Sequence, residues 1–185
     1  MENSSLLNIY SSHPKIREAS AYFDAQQNGK TSLNLSGLTG SAGSVVVSSL
    51  FAQAKKTFVC ILNDEEEAGY FYHDCCQMLT APPAPHEAPP APHRGEVEKA
   101  NPQVLFFPSG FRRAIRYGQK DPASEILRTD VLNRLNSSLN TNHSTLITTY
   151  PEALAEKVVS PDSLEMNTLS VSVGEKIDTS FVEEV

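Results

Sequence analysis

Tryptophan is absent from the 185-residue chain, cysteine is rare, and no apolar run is long enough for a membrane span. A helix needs about 20 consecutive apolar residues to cross a bilayer. The three cysteines, Cys60, Cys75 and Cys76, are odd in number and include an adjacent pair, which does not suit a disulfide framework. Residues 1–5 carry neither the cationic region nor the apolar stretch of a secretory signal. These absences predict a cytoplasmic protein with reduced thiols and no membrane partner.

Positive charge is also scarce. The chain has 15 Lys and Arg residues against 22 Asp and Glu residues, and its formal net charge is -7. An acidic chain repels a phosphate backbone, which argues against nonspecific nucleic-acid binding by the chain as a whole. The length suits one domain with a substantial core. The composition, with 39% hydrophobic residues, excludes a collagen-like or wholly disordered chain.

Apolar periodicity and turn residues predict helices that alternate with strands. A capping hydroxyl and a proline in Ser12–Pro14 begin the first predicted helix, and Asn28–Gly29 ends it. The alternation of Leu33 and Leu35 predicts a strand over residues 31–36. Further helices are predicted at residues 45–54, 64–79, 122–139, 151–157 and from 178 onwards, and further strands at residues 57–62, 104–107, 145–149 and 164–173. This alternation predicts an α/β fold with a mainly parallel sheet flanked by helices.

Three of these segments carry predictions about burial or charge. The apolar run at residues 57–62 predicts a strand that is buried on both faces. The acidic residues 64–67 fall in the first turn of a predicted helix, where they complement the helix dipole. The helix that begins at Pro122 carries a stripe of apolar residues expected to face the core, namely Ile126, Leu127, Val131, Leu132 and Leu135.

Proline is concentrated in one segment. Seven of the 12 prolines lie between Thr80 and Gln103, where Ala-Pro-Pro-Ala-Pro-His occurs twice. This composition favours an extended chain that cannot form a packed core. We interpret residues 80–103 as an inserted surface loop or linker, with a ligand for a proline-binding domain as the alternative. Residues 1–79 and 104–185 are then the two parts of one domain.

A turn of small residues precedes the helix predicted at residue 45. A phosphate-binding loop has the pattern G-x-x-x-x-G-K-[ST], in which lysine reaches the terminal phosphates and the hydroxyl binds magnesium. Here Ala42 replaces the second glycine and Gly43 replaces the lysine, so the main charge clamp on the phosphates is missing. The segment is either a tight turn or a weak anion site at a helix N-terminus. This degenerate nucleotide loop comprises Gly37, Thr39, Gly40, Ser41, Ala42, Gly43 and Ser44.

The segment Leu38–Ser44 resembles the degenerate motif in the N-terminal region of bacterial transcription-repair coupling factor (Mfd). That region is similar to the excision-repair protein UvrB, whose own loop keeps the lysine. Further segments resemble the same family in the same order, namely Val104–Pro108, Ser124–Leu135, Thr145–Leu154 and Val171–Asp178. The resemblance covers residues 6–185 apart from the proline-rich insert, which departs from the family pattern.

The resemblance implies a RecA-like, P-loop-type fold that has lost ATP binding. Parent proteins in this family are ATP-dependent DNA translocases that displace stalled RNA polymerase and recruit UvrA for nucleotide excision repair. This chain would be a noncatalytic front portion, serving as a scaffold and autoinhibitory surface that packs on other domains of the parent. It would hold no cofactor, since ATP and magnesium act in the parent's motor domains, and a second domain is expected beyond Val185. The alternative is an active nucleotide-binding or DNA-binding repair enzyme domain.

One basic segment interrupts the acidic chain. Residues 111–120 combine four cations with two aromatic rings, a composition that suits contact with nucleic-acid phosphates and bases. An ionic surface for protein contact and a solvated basic face are the alternatives. The candidate contact residues are Arg112, Arg113, Arg116, Tyr117 and Lys120. No catalytic set and no metal site is expected, because His73–Cys76 and the two histidines of the insert lack zinc-ligand spacing.

Overall fold

The computed structural model describes residues 3–25, 32–54, 56–79, 104–111, 120–138 and 144–166. The predicted strand-helix alternation is confirmed over most of these residues. None of the described helices is long and apolar enough to cross a membrane. In chain order the elements are α1 (Asn3–Ser11), α2 (Pro14–Ala25), α3 (Ala42–Gln53), β1 (Phe58–Ile61), α4 (Glu65–Leu79), β2 (Val104–Phe107), α5 (Pro122–Ser138), β3 (Leu146–Thr149), α6 (Pro151–Ala155) and α7 (Pro161–Met166).

The three strands form one parallel sheet in the order β1–β3–β2. Leu146 of β3 is in register with Phe58 of β1 and with Val104 of β2. Parallel neighbours need long crossover connections, and helices α4 and α5 lie in these connections, between β1 and β2 and between β2 and β3. The predicted class, α/β with a parallel sheet flanked by helices, is therefore confirmed.

Alternate residues along each strand point to opposite faces, so each face packs on a different set of helices. On one face, Val104 and Leu146 pack with Phe51 of α3 and Cys75 of α4. On the other face, Leu105 and Ile147 pack with Val131 of α5. A third cluster joins α2 to α3 through residues that include Ile16 and Leu50.

Burial on both faces is confirmed for β3 but is wrong for β1. Every residue of β3 is buried, because β3 is the central strand. In β1 the side chains alternate, and Val59 and Ile61 are 54% and 58% exposed. Helix α5 packs on β2, at the opposite edge of the sheet. The same face of β1 is therefore left exposed.

The apolar stripe predicted for α5 is only partly correct. Val131 is buried and Leu132 is partly buried, whereas Ile126, Leu127 and Leu135 are exposed. The sheet under α5 is narrow, so only a narrow strip of the helix meets it. Arg128, a cation, occupies a buried position on that strip.

Two strand predictions are wrong in the described residues. Residues 32–36 form no strand, and Leu33 and Leu35 are exposed. Residues 164–166, predicted to begin a strand, are the end of α7. The Ser160 hydroxyl accepts a hydrogen bond from the backbone N–H of Ser163 at 3.3 Å, and Pro161 is the first residue of the helix, an arrangement that favours a helix start. The helix stop at Asn28–Gly29, the proline-rich insert, the rest of the 164–173 segment and the helix from residue 178 lie outside the described residues.

Candidate nucleotide loop and its acidic cleft

The degenerate nucleotide loop leads directly into α3. Gly37 and Gly40 have φ angles of 83° and 53°, a left-handed conformation that favours glycine. The backbone N–H of Ala42 donates a hydrogen bond to the Thr39 carbonyl at 3.1 Å, and Val45 N–H donates to the Ser41 carbonyl at 3.1 Å. The turn therefore accounts for both glycines through its own backbone geometry, without a ligand.

Gly43 stands where a phosphate-binding loop has lysine. It lies in the first turn of α3, and its φ angle is not positive. A Cβ atom at this position would meet only the Phe71 ring, at 3.6 Å, which is an ordinary van der Waals contact. The fold therefore does not require glycine at position 43, in contrast to positions 37 and 40.

Ser44 supplies the hydroxyl that would bind magnesium in a working loop. Its side chain is buried, and Oγ lies 2.8 Å from the Ser41 carbonyl oxygen and 3.0 Å from Oδ2 of Asp74. The hydroxyl has one proton, so it donates to one of these two acceptors at a time. The hydroxyl is therefore already engaged within the protein.

Asp74 belongs to α4, which forms one wall of a cleft above the loop. Asp74 is the tenth residue of α4, yet it meets the first turn of α3. Phe71, one turn earlier in α4, lies beside Gly43, so α4 passes the start of α3 with the middle of the helix rather than with its first turn. The cleft has a volume of about 640 Å³ and is lined by Gly40, Ser41, Ser44, Asp64, Glu66, Glu67, Tyr70, Phe71 and Asp74.

Among the residues that the structure describes, four carboxylates and no cation line this cleft. A nucleotide triphosphate brings several negative charges, which four nearby carboxylates repel. A positive helix N-terminus alone attracts an anion by only about 0.3–1 kcal/mol at an exposed position. The local charge therefore opposes phosphate binding at the place where a P-loop would favour it.

The acidic residues 64–67 have a structural role at the start of α4, as predicted. Asp64 Oδ1 accepts a hydrogen bond from Glu67 N–H at 2.9 Å. Glu67 Oε2 accepts from the Asn63 side chain at 2.7 Å and from the Asn63 backbone N–H at 3.1 Å. These bonds cap the helix. Among the described residues, His, Cys, Asp and Glu side chains form no cluster of three or more that could hold a metal ion.

The ends of the basic segment are held together. Phe111 and Lys120 form an antiparallel bridge, and Asp121 N–H donates to the Gly110 carbonyl at 2.9 Å. Lys120 forms an exposed ion pair with Glu125 at 3.2 Å, so this candidate contact residue already has a partner within the chain. The other four candidates, Arg112, Arg113, Arg116 and Tyr117, lie outside the described residues.

A buried ionic cluster, absent from the sequence-based site candidates, lies at the base of this segment. Arg128 is 5% exposed and donates to the Pro108 carbonyl at 2.8 Å and to the Ala153 carbonyl at 3.3 Å. Its guanidinium lies 3.2 Å from Glu156 Oε2 and 4.3 Å from the centre of the Phe107 ring. We refer to Arg128 and Glu156 with these contacts as the Arg128 cluster.

Glu156 connects the Arg128 cluster to the turn after β2. Its carboxylate accepts hydrogen bonds from Gly110 N–H at 2.9 Å and from the Ser109 hydroxyl. The Tyr150 hydroxyl accepts a further bond from Ser109 N–H at 2.8 Å. The cluster therefore fixes residues 108–111, from which the basic segment departs.

The three cysteines are not joined in disulfides, and they belong to the core cluster between α4 and β1. Burial raises the pKa of Cys60 to about 12 and that of Cys75 to about 11, and burial also raises the pKa of Cys76. Protonated thiols are poor nucleophiles and poor metal ligands at neutral pH. The cysteines therefore act as small residues of this core cluster.

The sequence predicts the loop but neither the position of Asp74 nor the Arg128 cluster. One signal was available for Asp74, since Glu67, Phe71 and Asp74 recur at helical spacing and so share a face of α4. Comparison of the chain with models of protein families, with curated proteins and with solved structures found no match. The fold is that of an α/β domain in which a glycine turn leads into α3. Carboxylates at the start of α4 and along this helix line the cleft above that turn.

Proposed function

We propose that this chain is a noncatalytic module with a RecA-like, P-loop-type fold that has lost nucleotide binding. The proposed source of the module is the UvrB-like N-terminal region of a bacterial transcription-repair coupling factor. The order of the resembling segments supports this proposal, as does the parallel sheet with the degenerate loop at the start of a helix. In the cytoplasm the module would act as a scaffold and as a packing surface for other domains.

The observation that carries the loss of nucleotide binding is the charge of the cleft. Gly43 removes the cation that a phosphate-binding loop requires, and α4 adds carboxylates on the opposite wall. The Ser44 hydroxyl is paired within the protein, next to Asp74. The missing lysine and the added carboxylates both lower the affinity for the phosphates of a nucleotide.

The partners follow from the parent protein. Contacts of this module would be made with other domains of the parent, while UvrA and RNA polymerase would be engaged through the parent. ATP and magnesium would act in the motor domains of the parent, where the translocation chemistry belongs. In the parent, Gly43→Ala is then expected to leave the ATPase rate unchanged, because the change touches no working nucleotide site.

Titration of the chain with fluorescent ATP and magnesium tests this proposal. We expect no binding by the unaltered chain, and none by Gly43→Lys, because the four carboxylates remain. Neutralising the wall in the same background, with Asp74→Asn, Glu66→Gln and Glu67→Gln, is the matched comparison. Micromolar binding by the unaltered chain that Ser44→Ala abolishes would contradict the proposal and favour an active nucleotide-binding domain.

DNA binding is the second candidate function, and the composition of the basic segment is the observation that favours it. The measurement is fluorescence anisotropy with labelled single-stranded and duplex DNA at several salt concentrations. Phosphate contacts would give a steep salt dependence, which falls when arginines are removed. The variant to compare replaces three arginines by glutamine, at Arg112, Arg113 and Arg116.

A further inference from the structure

The outer edge of β1 has backbone groups that point away from the sheet. Phe58 N–H donates to the Thr145 carbonyl at 2.8 Å, and Leu62 N–H donates to the Thr149 carbonyl at 2.9 Å. In a parallel pair, alternate residues direct their backbone groups to the same side. Val59 and Ile61 therefore direct theirs to the outer edge. Within the described ranges, the only strand that β1 pairs with is β3.

The same two residues also expose apolar side chains. Val59 and Ile61 are each more than half exposed on the face of the sheet that α5 covers elsewhere. An apolar edge strand with free backbone groups is a site for pairing with another strand, and proteins normally cover or blunt such an edge. This edge has no proline and no charged side chain on β1 itself.

An apolar groove lies beside the amino end of β1. It has a volume of about 450 Å³, and its lining includes Thr57, Leu132, Leu135, Val158, Val159 and Leu164. Thr57 directly precedes β1, and Leu164 belongs to α7. The end of α7 therefore lies near the position where β1 begins.

The chain continues from this position with a strand-like sequence. Residues 167–185 follow α7, and Leu169, Val171 and Val173 alternate with Ser170 and Ser172. Strict alternation of apolar and polar residues is typical of a strand with one covered face. Three residues span at most about 11 Å, so the alternating segment begins within that distance of the end of α7.

The handedness of the connections permits the same path. The chain passes from β2 to β3 through α5, which packs on one face of the sheet, and moves towards β1. Residues 151–166 follow β3 in the chain, and α7 contacts α5 on the face of the sheet that α5 covers. A strand added beyond β1 would continue in the same direction over the same face. It would therefore share the handedness of the α5 crossover, as parallel connections almost always do.

We infer that residues 169–173 pair in parallel with the outer edge of β1 as a fourth strand of the sheet. This inference goes beyond the proposed function and does not depend on it. The strand would pair with the outward-directed backbone groups of Val59 and Ile61, and the segment would cover the groove beside Thr57. A second copy of the chain is the competing occupant, since two β1 edges could pair with each other.

Amide hydrogen exchange of the full chain, followed by NMR, tests this inference. We expect the amides of Val59 and Ile61 to be protected, and we expect cross-strand contacts between residues 58–62 and 169–173. Alternate N–H groups of the added strand face β1, so one of Val171→Pro and Ser172→Pro must remove a pairing group. That variant is expected to lower the protection of Val59 or Ile61 by at least about tenfold.

Glu183→Pro is the control variant, because it places proline in the same segment but outside the pairing residues. The amides of Phe58 and Leu62, which face β3, report whether each variant stays folded. Unprotected amides at Val59 and Ile61 in the unaltered chain would overturn the inference. Protection that survives both prolines, or protection that is lost on dilution, would also overturn it, and the second result would indicate pairing between two copies.

Discussion

Replacement of Arg128 by methionine is expected to be among the most damaging single changes in α5. Methionine keeps most of the length of the side chain but removes the guanidinium. The change leaves the Glu156 carboxylate without its cation and leaves the carbonyls of Pro108 and Ala153 without a donor. It also removes the cation above the Phe107 ring.

The burial of Arg128 sets the size of the effect. Removing one partner of a buried ion pair costs about 3–5 kcal/mol, and here the largely buried Glu156 carboxylate, 17% exposed, loses its cation and keeps only its hydrogen bonds to Ser109 and Gly110. The total free energy of unfolding of a domain is about 5–15 kcal/mol, so the loss is a large share of it. For a chain of this length, the expected decrease in Tm is about 6–20 °C.

Urea unfolding followed by far-UV circular dichroism measures this loss, because the chain lacks the tryptophan that a fluorescence assay would use. Lys15→Met is the matched control. Lys15 pairs with Glu18 at 3.1 Å, and both side chains are largely exposed, so the control is expected to cost less than about 1 kcal/mol. If Arg128→Met costs no more than Lys15→Met, the account of the Arg128 cluster is refuted. In the double variant Arg128→Met/Glu156→Gln, the loss should be smaller than the sum of the single losses.

Three further predictions concern the glycine turn, the thiols and the basic segment. Gly37→Ala is expected to destabilise the chain by about 1–2 kcal/mol, and Gly43→Ala to stabilise it by up to about 1 kcal/mol, because Gly37 has a left-handed φ and Gly43 does not. The midpoints of urea unfolding measure both changes. Burial keeps the pKa of Cys60 near 12 against an ordinary value of 9.0, so the folded state binds more protons between these values. Stability should therefore fall as the pH rises from 9 towards 12, and a series of Tm values should show a shallower fall for Cys60→Ala. Replacement of Arg112, Arg113 and Arg116 by glutamine is expected to leave the anisotropy of labelled DNA unchanged at physiological salt. A large loss of DNA binding in this variant would favour the DNA-binding alternative.

The sequence predicts most of the described helices because their start and stop signals are local. Pro14 and Pro122 each begin a helix, and the acidic residues 64–67 place the start of α4 correctly. The parallel sheet also follows from the alternation of strands and helices. These features depend on neighbouring residues in the chain, which a single sequence displays directly.

Two of the errors concern properties that depend on distant parts of the chain. Leu33 and Leu35 alternate like strand residues, but no ladder partner meets residues 32–36 within the described part of the chain. The continuous apolar run of β1 suggested burial on both faces, but an edge position leaves one face to solvent. For residues 164–166 the signal was local, since Ser160, Pro161 and Asp162 form a helix start that outweighs a loose alternation.

In the candidate site, too, the local features can be predicted from the sequence and the tertiary contacts cannot. The missing lysine at Gly43 is visible in the sequence, as is the hydroxyl of Ser44. The position of Asp74 is not visible in the sequence, because it depends on how α4 packs against the start of α3. Because of this packing, the loop not only lacks a cation but also faces carboxylates of α4, whose negative charge opposes phosphate binding.

Equilibrium titration of the unaltered chain with ATP and magnesium tests the central claim most directly. Calorimetry is suitable, because it detects binding without a label and reports the heat from any site. The account predicts no saturable heat of binding, since the loop lacks its lysine and four carboxylates line the cleft. Saturable micromolar binding that disappears in Ser44→Ala would contradict the account and restore the loop as a working nucleotide site.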